Sequence, residues 1–140
     1  MSESVNFHYD IDGDNFTSAG EASVGIKKML RQMGFSAETI RRVSVAMYEG
    51  EINMVIHANG GTADINVYPD KIEIILADKG PGIPDIAKAM QEGFSTAPDN
   101  IRSLGFGAGM GLPNMKRYTD SFEIETEVGV GTTIKMAVNV

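Results

Sequence analysis

The sequence predicts a two-layer α/β sandwich in which helices cover one face of a mixed, mostly antiparallel sheet. Three observations carry this expectation. Apolar residues alternate with period two near the start, in the middle and at the end of the chain. Two stretches of helical period lie between the first and second of these. A long, aperiodic, glycine-rich run separates the middle strands from the last pair. At 140 residues the chain suits a single domain spanning 1–140, with no room for a second.

The elements follow in order. Val5, Phe7, Tyr9 and Ile11 alternate with polar residues, which suits a half-buried strand at a sheet edge, ended by Gly13 and Asp14. From about Ser18 to Met33 the positions Ala22, Ile26, Met29, Leu30 and Met33 recur at helical spacing, and Gly34 stands where a helix end favours a left-handed residue. Ser36 is a good N-cap, with Glu38 in the first turn, for a second helix running to about Ala58 before Asn59, Gly60 and Gly61 break it. The later half of that helix is apolar almost all round, so it should be buried. Ala63, Ile65 and Val67, a turn at Pro69 and Asp70, then Ile72, Ile74 and Leu76 read as a hairpin with one apolar face. Pro84 to Met90 suits a short helix with proline in its permitted first turn. The run from about 91 to 111 reads as a functional lid or a disordered loop. A helix from Pro113 to Tyr118 and a hairpin of Phe122–Val128 with Thr132–Val138 complete the chain.

Composition narrows the function classes. Apolar residues make up 42% and charged residues 22%, an ordinary globular balance. Twelve basic against nineteen acidic residues give a net charge of −7, which would repel a phosphate backbone, so no nucleic acid partner is expected. With no cysteine there is no disulfide, thiol nucleophile or zinc-thiolate site, and a reducing compartment suits the chain. The start lacks the basic and apolar segments of a signal peptide, and no run reaches about eighteen apolar residues, so a cytoplasmic location without membrane insertion is expected.

Four short blocks carry the chemistry. Glu49 and Asn53 lie four apart, one turn along the same helix stripe, and His57 continues it. Alone, that common pair reads more readily as a solvated helix edge with surface carboxylates. Gly50 beside Glu49 costs about 1 kcal/mol against alanine inside a helix, which points to a close approach. Asp78 shares the parity of Ile72, Ile74 and Leu76, so its carboxylate faces the core side and needs a donor there. It also suits the first position of the turn through Gly80, Pro81 and Gly82. Gly105, Gly107, Gly109 and Gly111 lead into a helix whose free N–H groups suit an anion. That run follows a loop rather than a strand, unlike a dinucleotide fingerprint, and no Gly-Lys-Ser/Thr follows as in a Walker A loop. Thr132, after Gly129 and Gly131, turns its hydroxyl to the same inward face as Ile134, Met136 and Val138. Together the blocks read as a magnesium-ATP site.

In this order and spacing they resemble the GHKL superfamily, the Bergerat-fold ATPases that include DNA gyrase, heat-shock chaperones, MutL and histidine kinases. Within it the likeness is to the small bacterial anti-sigma and switch-protein serine/threonine kinases. The run from Leu76 to Asp120 carries most of the resemblance and Tyr48 to Ala58 the rest. It implies that Glu49 activates the attacking hydroxyl or water and that Asn53 ligates Mg²⁺, whose preference for oxygen a neutral amide suits. It implies that Asp78 accepts from the adenine amine while Gly80 and Gly82 let the backbone approach the base, and that Thr132 completes the pocket through water. The phosphates would fall to Gly105, Gly107, Gly109, Met110, Gly111 and Leu112. Arg102 either meets the γ-phosphate or is a solvated lid charge, and His57 is either structural or supports the site. Lys116, Arg117 and Glu51 read as surface or packing charges.

The glycine run departs from the shortest switch-kinase pattern, with Phe106 and Ala108 between its glycines. A histidine kinase's phosphoacceptor helices and the coupling domain of gyrase-like or MutL-like ATPases are missing. The resemblance therefore implies a serine/threonine kinase acting on a small STAS-type anti-anti-sigma protein, with a sigma factor as a further partner and a homodimer formed through the first strand. The alternative is a nucleotide-gated module that sequesters a sigma factor or another regulator with little phosphotransfer. A base at Glu49 favours the kinase, because ATP binding alone needs none. A slow ATPase acting by conformational change is a third class, for which a coupling domain is wanting.

Overall fold

Period-two alternation builds the five strands, and the way they pair decides where the site can form. The structure, a computed structural model, describes residues 4–12, 20–58, 60–83, 90 and 111–140. Strands β1 (Val5–Asp12), β2 (Gly60–Val67), β3 (Lys71–Asp78), β4 (Ser121–Glu127) and β5 (Gly131–Asn139) form one sheet in the order β1-β2-β3-β5-β4. Every described ladder is antiparallel. The mostly antiparallel sheet expected from the sequence is antiparallel in all its described ladders, with no parallel pair. β3 and β4 run the same way, joined through a helix, but β5 lies hydrogen-bonded between them, as in a split βαβ unit. β1 is an edge strand, as its alternation predicts.

Helices α1 (Glu21–Gln32), α2 (Ala37–His57) and α3 (Gly111–Arg117) lie over one face. Ile65, Ile72, Ile74, Leu76, Met136 and Val138 from the sheet pack against Ile26 and Leu30 of α1, Val43 and Met47 of α2, and Met115 of α3. The opposite face carries Asp64, Asn66, Glu73, Glu123 and Lys135. One-sided burial of this kind specifies register, because a slip of one residue would send the apolar set to water. The predicted helix Pro84–Met90 falls almost wholly outside the described residues.

The turn between α1 and α2 is set by its capping residues. Gly34, at φ +86°, donates to the Arg31 carbonyl at 3.1 Å, and the next N–H, of Phe35, reaches the Leu30 carbonyl at 3.2 Å, which is a Schellman ending. Two residues later the Ser36 hydroxyl accepts the Thr39 N–H at 3.2 Å and starts α2. Farther along, Arg42 pairs with Asp120 at 3.2 Å, and the same carboxylate accepts the Asn139 N–H at 2.7 Å. The backbone donor first, and the guanidinium after it, hold Asp120 below the ordinary carboxylate pKa.

The other end of α1 corrects an expectation. Its N-cap is Gly20, which has no side chain to offer, and the helix begins at Glu21 rather than near Ser18. The missing cap comes from Glu51, which the sequence suggests is a surface or packing charge but which is only 2% exposed. Its Oε2 accepts from the N–H groups of Gly20 at 2.8 Å and Ala22 at 3.1 Å, and Oε1 from that of Ser23 at 3.0 Å. A carboxylate at a helix N-terminus also meets the positive end of the macrodipole. Glu51→Ala strands these donors, and at about 1 kcal/mol for each lost bond the expected cost is about 2–4 kcal/mol, read as a lower urea midpoint. Glu51→Gln keeps one acceptor oxygen and should cost less. Equal midpoints for wild type and the alanine variant would remove Glu51 from this role.

At the β1 edge His8 lies between two carboxylates, with Nδ1 at 2.8 Å from Asp64 and Nε2 at 3.2 Å from Asp10. Both nitrogens can donate only in the charged ring. The hydrogen bond to Asp64, then that to Asp10, raises the His8 pKa above 6.5. A raised folded pKa means that the contribution to stability is fully present below the unfolded value and is lost as pH rises through the folded one. The expected outcome is a His8 titration by NMR above 6.5 that falls when Asp64→Asn removes the stronger partner. A wild-type midpoint at or below the ordinary value contradicts this.

Candidate functional site

The cleft forms where β3 ends. Asp78 is the last residue of that strand and pairs in register with Thr132 of β5. Its Oδ1 accepts from the Gly80 N–H at 2.9 Å and the Thr132 N–H at 3.2 Å. Its other oxygen has no hydrogen bond among the described residues. The turn reading of Asp78 holds on one oxygen.

Asp78 and Thr132 share the cleft with Gly50, Asn53 and Gly82, between the apolar side chains of Met54, Leu76, Ile83 and Ile134. A polar acceptor at one end and apolar walls around it suit a flat heteroaromatic base. The glycines are needed first by the protein itself. Gly50 lets β3 approach α2, since a Cβ there would fall inside the Leu76 side chain. At Gly82, φ is +80° and a Cβ would lie 2.5 Å from the Glu127 carbonyl oxygen, so the turn after β3 is pressed against the end of β4. Gly80 packs in the same way, with a Cβ position 2.7 Å from both Cα and Cβ of Ala58.

On α2, Glu49 and Asn53 are both half-buried and one turn apart, as their spacing predicts. Asn53 reaches the cleft wall. Glu49 meets a partner that sequence reading missed: the Asn114 side-chain amide of α3 donates to its Oε1 at 3.4 Å. The available signal was an amide in the first turn of the helix after the glycine run. Gly111 opens α3, and Leu112, 6% exposed, belongs to the core, so only its backbone is available to a ligand. Lys116 and Arg117 are exposed, as expected of surface charges. Arg102, Gly105, Gly107, Gly109, Met110 and the His57 side chain lie outside the described residues.

An amide oxygen at Asn53 is compatible with a hard cation bound mostly by phosphate and water. Among the described residues no three His, Asp or Glu side chains converge, so Asn53 would supply one oxygen while phosphates and water supply the others.

An antiparallel sheet with helices on one face, and a carboxylate at a central strand end beside a helix bearing Glu49 and Asn53, define an ATPase domain of the histidine kinase type. The chain belongs to that family: residues 15–138 match the histidine kinase-like ATPase domain. It is 34% identical over 113 residues to the serine/threonine-protein kinase RsbT of Bacillus subtilis, covering 78% of this chain and 79% of that one. To an anti-sigma F factor of Clostridium beijerinckii it is 31% identical over 119 residues, covering 81% and 80%. These relatives agree with the resemblance to GHKL anti-sigma kinases. Among solved structures, the RsbU and RsbW domains of a Mycobacterium tuberculosis protein superpose with a TM-score of 0.65 at 16% identity, over 96% of this chain and 32% of that one. The mycobacterial sensor histidine kinase MprB gives 0.54 at 17% identity, over 96% and 97%. At such identities these two likenesses establish the fold alone.

Gly82→Ala is expected to lower stability by about 1–3 kcal/mol, because it combines a left-handed backbone with a clash against backbone. Urea unfolding checks it, and a loss no larger than at an open exposed site would contradict the tight turn.

Proposed function

We propose that this chain is a magnesium-ATP-dependent serine/threonine protein kinase that phosphorylates a small STAS-type regulatory protein. The observation that carries the reading is Glu49: a half-buried carboxylate, one turn from an amide on the cleft wall, has a role in proton transfer and none in merely holding ATP. The likeness to RsbT, named a serine/threonine-protein kinase, supports it.

In this reading Asp78 accepts a hydrogen bond from the adenine amine and fixes the base, and Thr132 stands beside it. Asn53 would hold a magnesium ion, which would supply positive charge to neutralise the phosphates. The partner's hydroxyl gives its proton to the Glu49 carboxylate as its oxygen bonds to the γ-phosphorus. The bond from that phosphorus to the β–γ bridging oxygen breaks, and ADP leaves with the bridging electrons. Asn114 holds the Glu49 carboxylate in place for this. Arg102 and the glycines from Gly105 to Gly111 are assigned to the phosphates, and the whole chain to one domain. Among the described residues no helix is long and apolar enough to cross a membrane. The free edge of β1, where Val5 is exposed, offers a route to a homodimer.

Glu49→Gln should leave ATP affinity intact and slow phosphotransfer by roughly 10²-fold or more. Asp78→Asn should weaken ATP by at least about tenfold, because an amide replaces a needed acceptor. Calorimetry with Mg-ATP and transfer of labelled phosphate to a co-purified partner measure the two effects. Wild-type transfer rates in Glu49→Gln would end the base assignment. The likeness to anti-sigma F factors favours a second reading, a nucleotide-gated module that sequesters a regulator. ATP binding with no transfer to any bound partner would establish it in place of the kinase.

A further inference from the structure

Behind the acceptor at Asp78 runs a short relay of hydroxyl groups. Thr126 of β4 faces Thr132 of β5 in register. Its Oγ1 accepts the Ile83 N–H at 2.9 Å and lies 3.2 Å from the Gly131 carbonyl oxygen and 2.9 Å from the Thr132 hydroxyl. A threonine hydroxyl has one hydrogen and two lone pairs, so the arrangement can be counted. If Thr126 gives its hydrogen to Gly131, its lone pairs accept Ile83 N–H and Thr132 O–H, and all three contacts are hydrogen bonds. If it gives the hydrogen to Thr132 instead, the Gly131 contact is lost. Satisfying partly buried polar groups favours the first arrangement.

Thr132 then directs its only hydrogen at Thr126 and turns lone pairs to the cleft it lines. Beside it, Asp78 offers the oxygen that its two backbone donors leave unused. We infer that Thr126 determines base specificity as a positioning residue, by making this wall of the cleft acceptor-only. Such a wall binds a purine with an amine at position 6, which brings two hydrogens, and repels a keto oxygen at the same place. The inference rests on the proposed ATP site and adds to it the residue that sets the polarity of the base pocket.

The test compares three magnesium triphosphates by calorimetry: ATP, purine riboside triphosphate, which has only hydrogen at position 6, and ITP, which has a keto oxygen. The expected order of affinity is ATP, then purine riboside triphosphate, then ITP, with ITP weaker than ATP by at least about a hundredfold. A Thr132 hydroxyl free to turn would donate to the keto group and reverse the last two. Thr126→Val keeps the shape, frees that hydrogen and should narrow the ATP-to-ITP ratio by about tenfold or more, whereas Thr126→Ser should keep it. ITP binding as well as purine riboside triphosphate in wild type, or an unchanged ratio in the valine variant, overturns the inference. Should the valine variant fail to fold, the wild-type order decides alone. Failure of wild type to bind any of the three overturns the ATP site itself, whereas ATP binding with the wrong order overturns only the role of Thr126.

Discussion

The helical layer is held in place by a buried carboxylate. Glu51 sits on α2 between the two candidate site residues, Glu49 and Asn53, and points the other way, into the start of α1. There it takes three backbone donors that no local side chain serves. A buried charge is tolerable only when fully bonded, and these donors at the positive end of a helix provide that. Because the ties run to fixed backbone, α2 has little freedom to rotate or slide, and the stripe that faces the cleft is set by the residue that faces away from it. Position in the site is thus inherited from a contact outside it.

The remaining constraints work from the sheet side. Gly50 lets Leu76 close on α2, and the turn through Gly80 and Gly82 is pinned between Ala58 and the end of β4. These contacts bring the end of β3 and the end of α2 together, so Asp78 and Asn53 meet in one cleft. The same glycines that suit a nucleotide serve backbone packing first. Their presence would be required even with the cleft empty.

Much of this was legible because it is local. Alternation in Ile72, Ile74 and Leu76 fixes which way Asp78 points, and the Ser36 and Gly34 caps place the helix ends within a residue or so. Four-residue spacing suffices to set Glu49 and Asn53 on one stripe. What was hidden depends on distant partners. Glu51 meets donors 28 to 31 residues away, and nothing in its own neighbourhood distinguishes it from a surface glutamate. Parity shows which face Thr132 occupies but not that β5 inserts between β3 and β4, so its pairing with Asp78 was not readable. Asn114 was overlooked for the same reason, since its partner lies on another helix.

That insertion orders events during synthesis. The interior strand β5 follows β4 in the chain, yet it supplies the Thr132 N–H that steadies Asp78 and, with Thr132 and Ile134, part of the cleft wall. A nascent chain that has emerged only as far as β4 has β3 with one edge unpaired and no finished cleft. Long-range strand pairing of this sort is slow to form, because loop closure must precede any gain from contact. A ligand that relies on this cleft would therefore stabilise the protein only after β5 had docked between β3 and β4, so binding competence would wait on a long-range pairing.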